Sequence, residues 1–159
     1  MNTTQLLQAK ASGCLDRSDG IVVSFDAKWH RAITSKSFSL VIRKRIPTKP
    51  KVNWLYFHVN SPISAICARA HVKSIGPISK KLLDSYTSEL CLDSVEIEEY
   101  CKNLKEIGSY RIDEIELAPK EASVALLQEH LLYSPPQSFM YLSLNAKAII
   151  DSTCEFTVI

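Results

Sequence analysis

Between Asp26 and Asp84 the chain contains no acidic residue, although Asp and Glu total 17 of its 159 residues. That window holds Lys28, Arg31, Lys36, Arg43, Lys44, Arg45, Lys49, Lys51, Arg69, Lys73, Lys80 and Lys81. Beyond Asp84 the balance inverts, with runs such as DSVEIEEY and DEIE. A net charge of only +2 hides this split, which points to a positive face for an anionic partner rather than to a merely dipolar fold. Glycine is almost as scarce. The four glycines, at 13, 20, 76 and 108, cannot build GxxxxGK or GxGxxG, which removes nucleoside-triphosphate and dinucleotide cradles. GxSxG and HExxH are absent, and with them the serine-hydrolase elbow and the zinc-protease helix. No apolar run approaches the roughly 18 residues needed to span a bilayer. The N-terminal twenty residues lack a continuous apolar core, so they read as a polar leader and not a signal peptide.

Cysteine is present, but not in a pattern. Cys14, Cys67, Cys91, Cys101 and Cys154 are odd in number and widely spaced, which argues for free thiols in a reducing cytoplasm. There is no CxxC, and His30, His58, His71 and His130 show no zinc-ligand spacing. Cys67 and His71 lie four apart in a stretch with strand character, read as a buried thiol and a surface histidine. No metal and no cofactor is expected.

The remaining pattern is that of one globular domain of strands and helices. IVVSF (21–25) is a β-branched strand. Asp26 suits an N-cap, followed by two helical turns with Trp29, Ala32 and Ile33 on one side. In SFSLVIRKRIP (37–47), Phe38, Leu40 and Ile42 alternate onto one apolar face, with Val41, Arg43 and Arg45 on the other. Strands follow at 52–59 and 63–75, separated by Ser61-Pro62. Residues 77–105 turn helical, with Pro77 opening one helix and an Asp93/Glu96 capping box opening a second. Apolar spacing in these helices picks out Leu82, Leu83, Val95 and Tyr100. A strand at 109–118 precedes a helix after Pro119 that buries Val124, Leu127, Leu131 and Leu132. PPQSFMYLSL is a double-proline corner leading into a strand or short helix, and EFTVI suggests a last strand. Consecutive strands with few helices favour an α+β, mixed β-barrel with peripheral helices.

This order and three local stretches resemble the ASCH domain of the PUA-like superfamily. IVVSFDAKWHRAITSKSFSLVIRKR stands where that family has a strand, a short helix and a strand near G-x-K-x-x-E-x-R. LYFHVNSPISAICARAHV looks like its paired strands, and SYRIDEI like a later one. PPQSFMYL resembles the closing segment of a bacterial and archaeal branch labelled as transcriptional regulators. The match spans residues 21–144, with a helical insertion at 77–105. A leader at 1–20 and an extension at 145–159 lie outside it.

The resemblance implies a PUA-like cleft that takes RNA or a nucleobase. It also implies where chemistry is lost: Lys36 stands at the motif's glycine, Phe38 at its lysine and Val41 at its glutamate, while Arg43 is retained. Some family members are amidohydrolases on a modified cytidine, whose lysine and threonine fall at Phe38 and Val41; others are described as ribonucleases. Apolar side chains cannot serve as base or nucleophile. A one-residue bulge would instead bring Lys36 into the lysine's place. The expectation is a noncatalytic nucleic-acid module, single-stranded RNA or a modified base before DNA, regulatory in role. Its cleft would be lined by Trp29, His30, Arg43, Arg45 and the Ser61 turn. Gln137 and Ser138 would lie near the mouth, and Lys36, Lys44, Lys49 and Lys51 would extend the positive surface. Against these stand plainer roles: Trp29 as core, Arg43 in an ion pair, the lysines solvated. A hydrolase acting on RNA or acetylated cytidine is the alternative. A protein-interaction module using Glu96, Glu98 and Glu99 is a third.

Overall fold

The computed structural model describes residues 17–48 and 51–157. Lys49 and Cys14 therefore lie outside the described residues. Seven strands form one mixed sheet: β1 (Arg17–Phe25), β2 (Leu40–Arg43), β3 (Trp54–Val59), β4 (Ala65–Ser79), β5 (Glu106–Ile112), β6 (Glu116–Ser123) and β7 (Phe139–Ser143). The order is β2-β5-β4-β3-β1-β7, with β6 on β4; β1 and β3 run parallel and the other pairs antiparallel. The helices are α1 (His30–Thr34, preceded by a 3-10 turn at Ala27–Trp29), α2 (Lys80–Leu83), α3 (Thr87–Leu90), α4 (Ser94–Tyr100), α5 (Val124–His130) and α6 (Leu144–Cys154).

The sheet curls. Four spacings of about 4.8 Å separate β2 from β1 along the strand order, so a flat sheet would hold them about 19 Å apart. Yet Arg43 in β2 donates to Ser24 O in β1 at 3.1 Å. Strands from both edges also share one apolar cluster: Val41 from β2, Phe57 from β3, Phe25 from β1, and Phe139 from β7 packed against it. This is the expected α+β, PUA-like architecture.

Several local expectations change. Both faces of β2 are buried: Leu40 and Ile42 join a cluster with Leu83, Leu90 and Ile97, while Val41 and Phe38 join the central one. The alternation fails at Phe38 because the strand begins only at Leu40. Pro77 lies inside β4, paired with Gly108, and not at a helix start. Beyond His71 the second edge of β4 has no described strand partner, so a residue without an N–H is tolerated there. The 109–118 stretch is divided between β5 and β6, and α5 starts at Val124 behind a Ser123 cap rather than after Pro119. Leu132 and Val95 are exposed, while Leu127, Ile97 and Cys101 take the buried positions. The Asp93/Glu96 capping box forms as read.

At the far end α6 closes the chain's regular structure at Cys154; residues 155–157 form no strand, and residues 158 and 159 of the expected last strand lie outside the described residues. Ile150, Cys154 and Phe156 fill a second cluster with Val22, Tyr56 and Leu142, so much of the stretch set outside the domain packs against the sheet. The same side holds a buried histidine. His58 is 1% exposed and its Nδ1 meets Tyr133 Oη at 3.0 Å. Burial lowers its pKa, so the folded state keeps the ring neutral. The stability this gives is complete above the unfolded value of about 6.5 and is lost as pH falls below it. Denaturant midpoints at pH 7.5 and 5.0 should therefore drop more in the wild type than in His58→Asn.

Candidate functional site

The charge split seen along the chain is partly neutralised in space. Lys36 pairs with Glu114 (3.2 Å), Lys73 with Asp113 (3.3 Å), Lys80 with Glu98 (3.0 Å), and Arg69 with Glu116 and Asp151. Four cations of the acid-free window are thus matched by acids of the second half. Among the described residues, Lys28, Arg31, Arg43, Lys44, Arg45, Lys51 and Lys81 make no ion pair.

Three of those cations, Lys28, Arg43 and Lys44, line one cavity of about 610 Å³. It opens where β1 and β2 end against α4. The volume is within the ordinary range for a small-molecule site. The end of β1 and the turn after it supply Ser24, Asp26 and Trp29; α4 supplies Glu96, Glu99 and Tyr100; Gln137 comes from the double-proline corner. That corner is tied down because Ser24 Oγ donates to Pro136 O at 2.7 Å.

Arg43 is the centre of this arrangement. Its side chain lies on the inner face of β2 beside Val41, so it emerges at the rim of the barrel. Nη1 donates to Ile42 O at 2.8 Å and Nη2 to Ser24 O at 3.1 Å, with the guanidinium 4.5 Å above the Phe25 ring. Two of its five N–H groups are so committed. Burial lowers its pKa, opposed by Tyr100, Tyr110 and Asp26, and at neutral pH it stays charged. Lys44 Nζ sits 5.2 Å over the Tyr100 ring. Asp26 occupies the N-cap position but makes no side-chain capping bond, leaving its carboxylate to the cavity. Trp29 is both things the sequence allowed: half-buried, packed edge-on to Phe25 and Phe38, and a wall of the cavity.

Other expected members lie elsewhere. His30 turns away to Glu121 (Nε2–Oε2 3.0 Å). Lys36 lines a separate cavity of about 410 Å³ with Lys73, Glu89 and Asp113, and Lys51 a third near Pro47. Arg45 and Ser61 are exposed and Ser138 is half-buried, all three outside the cavity lining. Glu98 is held by Lys80, while Glu96 and Glu99 face the cavity. Phe38 and Val41 are 5% and 4% exposed, deep in the central cluster. Asp26, Lys28 and Tyr100 had not been read as cleft residues, and Glu99 only as part of an acidic protein-docking surface. Asp26, Lys28 and Trp29 sit side by side after the first strand, which is the signal that would have found them.

In the central cluster, Tyr110 Oη is fully buried without a hydrogen-bond partner among the described residues. Its pKa is raised by burial. An unsatisfied buried hydroxyl costs about 1–3 kcal/mol. Tyr110→Phe should accordingly leave stability unchanged or raise it by about 1 kcal/mol, measured by urea denaturation.

No family model and no curated protein sequence matches the chain. Solved structures do. The ASCH protein from Zymomonas mobilis superposes with a TM-score of 0.76 at 20% identity, covering 84% of this chain and 94% of that one. A single-substitution mutant of the same protein gives 0.76 at 19% identity, over 86% and 96%. The N-terminal domain of McrB from Staphylothermus marinus gives 0.53 at 10% identity, over 87% and 96%. At these identities the likeness is one of fold: the chain has the ASCH fold.

Proposed function

We propose that the protein binds single-stranded nucleic acid, RNA before DNA, by taking one base into the Arg43 cavity. The observation that carries this is the cavity's mixed lining. A site for phosphate alone would gather cations; this one sets Lys28, Arg43 and Lys44 against Asp26, Glu96 and Glu99. Such a wall of donors and acceptors suits the polar edge of a planar base, with Trp29 and Tyr100 offering ring faces. Arg31, Arg45 and Lys51 belong to the same unpaired set and would meet the flanking phosphates.

The noncatalytic form of this reading is supported by Phe38 and Val41, which by the resemblance stand at the motif's lysine and glutamate and are sealed in the core. Lys36 does not substitute, being paired with Glu114 beside a different cavity. A role in transcriptional regulation follows from the same binding and would operate where the protein meets a transcript. Among the described residues no helix is long and apolar enough to cross a membrane.

Fluorescence anisotropy with a short single-stranded RNA tests the proposal. Affinity should fall steeply with salt, and Arg45→Ala plus Lys51→Ala should flatten the log–log slope by about 1.4, at about 0.7 per lost phosphate contact. A slope unaltered by the double substitution removes these cations from the site. Turnover of RNA or acetylated cytidine by nuclease-free protein would overturn the noncatalytic form.

A further inference from the structure

Outside the cavity lining, three side chains from distant parts of the chain converge. His30 Nε2, Cys67 Sγ and a Glu121 carboxylate oxygen all lie within 4.8 Å of one another. From this convergence we infer that the protein carries a Zn²⁺ site formed by His30, Cys67 and Glu121.

The fold builds this meeting point with a specific irregularity. Across the β4–β6 pair, Ile66 faces Ala122 and Ala68 faces Leu117, so residues 118–121 all stand opposite Cys67. Bulges of this kind re-aim side chains next to functional sites. Here the bulge turns Glu121 over the thiol, and the first residue of α1 brings His30 onto it from the other side.

The donor set selects the metal. A thiolate, an imidazole and a carboxylate are together the ordinary ligands of zinc, whereas Mg²⁺ and Ca²⁺ take oxygen and avoid sulfur. Tetrahedral zinc bonds of about 2.0–2.3 Å place ligand atoms about 3.3–3.6 Å apart, so from at most 4.8 Å the longest gap must close by about 1.2–1.5 Å at most. His30 and Glu121 already touch at 3.0 Å. Their side chains are 30% and 41% exposed while Cys67 is 2% exposed. The metal would therefore rest on a buried sulfur and keep its fourth position toward solvent. Zinc takes sulfur as the thiolate, so binding releases the Cys67 thiol proton to solvent as the Zn–S bond forms. The His30–Glu121 contact alone would be an ion pair. The sulfur beneath it is what an ion pair does not require.

The test uses the full chain, stripped with chelator, and no nucleic acid, so its result is independent of the binding proposal. Titration with Co²⁺ should produce a thiolate-to-metal charge-transfer band in the near ultraviolet, which added Zn²⁺ should abolish. Cys67→Ser should lose the band; His30→Ala and Glu121→Gln should each weaken Zn²⁺ binding at least about tenfold. The last two positions are partly exposed, so those variants fold even if Cys67→Ser does not. Wild-type protein that gives no band, or Zn²⁺ affinity unchanged in His30→Ala and Glu121→Gln, overturns the inference.

Discussion

Asp151→Ala should destabilise the fold by about 3–5 kcal/mol, enough to unfold a domain of ordinary stability. Asp151 is 8% exposed on α6. Its Oδ1 accepts from Tyr56 Oη at 2.5 Å and from Arg69 Nη1 at 3.2 Å, and its Oδ2 accepts from Lys147 Nζ at 3.0 Å. Arg69 is 2% exposed, lies between the Trp54 and Phe156 rings at 4.3 and 4.6 Å, and also donates to Glu116 and to the Thr157 carbonyl. Removing the aspartate leaves a buried guanidinium with one carboxylate fewer, and Arg69 Nε already has no partner. The cost comes from the stranded charge, so substituting both ends should cost less than substituting one. Urea denaturation of Asp151→Ala, and of Arg69→Met with Asp151→Leu, measures this. A double variant as unstable as the single one would contradict it.

Arg43→Gln should act on stability and on binding together. Loss of the hydrogen bonds to Ile42 O and Ser24 O, and of the stacking on Phe25, should cost about 1–3 kcal/mol, because bonds to charged donors are the stronger kind. Affinity for single-stranded RNA should fall about tenfold or more, since the same guanidinium presents its remaining donors to the cavity. Arg43→Lys keeps the charge but not the fork, and should recover salt dependence without recovering the full stability. Denaturation and anisotropy on the same preparations separate the two effects. A variant that loses stability but binds normally would make Arg43 a clasp alone.

The architecture was readable because strand and helix periods are local: VNWLYFHV is strand-like by itself, and the Asp93/Glu96 box needs four residues. What was not readable depends on pairing. Whether Pro77 ends a strand or starts a helix turns on an open edge of β4 that no local pattern encodes. Nor does the sequence say that Glu114, Asp113 and Glu98 fold back onto three lysines of the acid-free window. Arg43 and Trp29 were legible from the resemblance, whereas Asp26 and Tyr100 become neighbours of Arg43 only when the sheet curls. The His30–Cys67–Glu121 convergence has no spacing signature at all, since a bulge in β6 creates it.

Entry of a base into the cavity between β1, β2 and α4 is tested most directly by amide and indole chemical-shift mapping with a short single-stranded RNA. A contiguous set of shifts is expected at Trp29, Arg43, Lys44, Tyr100 and Gln137, including the Trp29 indole N–H. Shifts confined to the Lys36–Asp113 cavity, or none at saturating RNA, would contradict it.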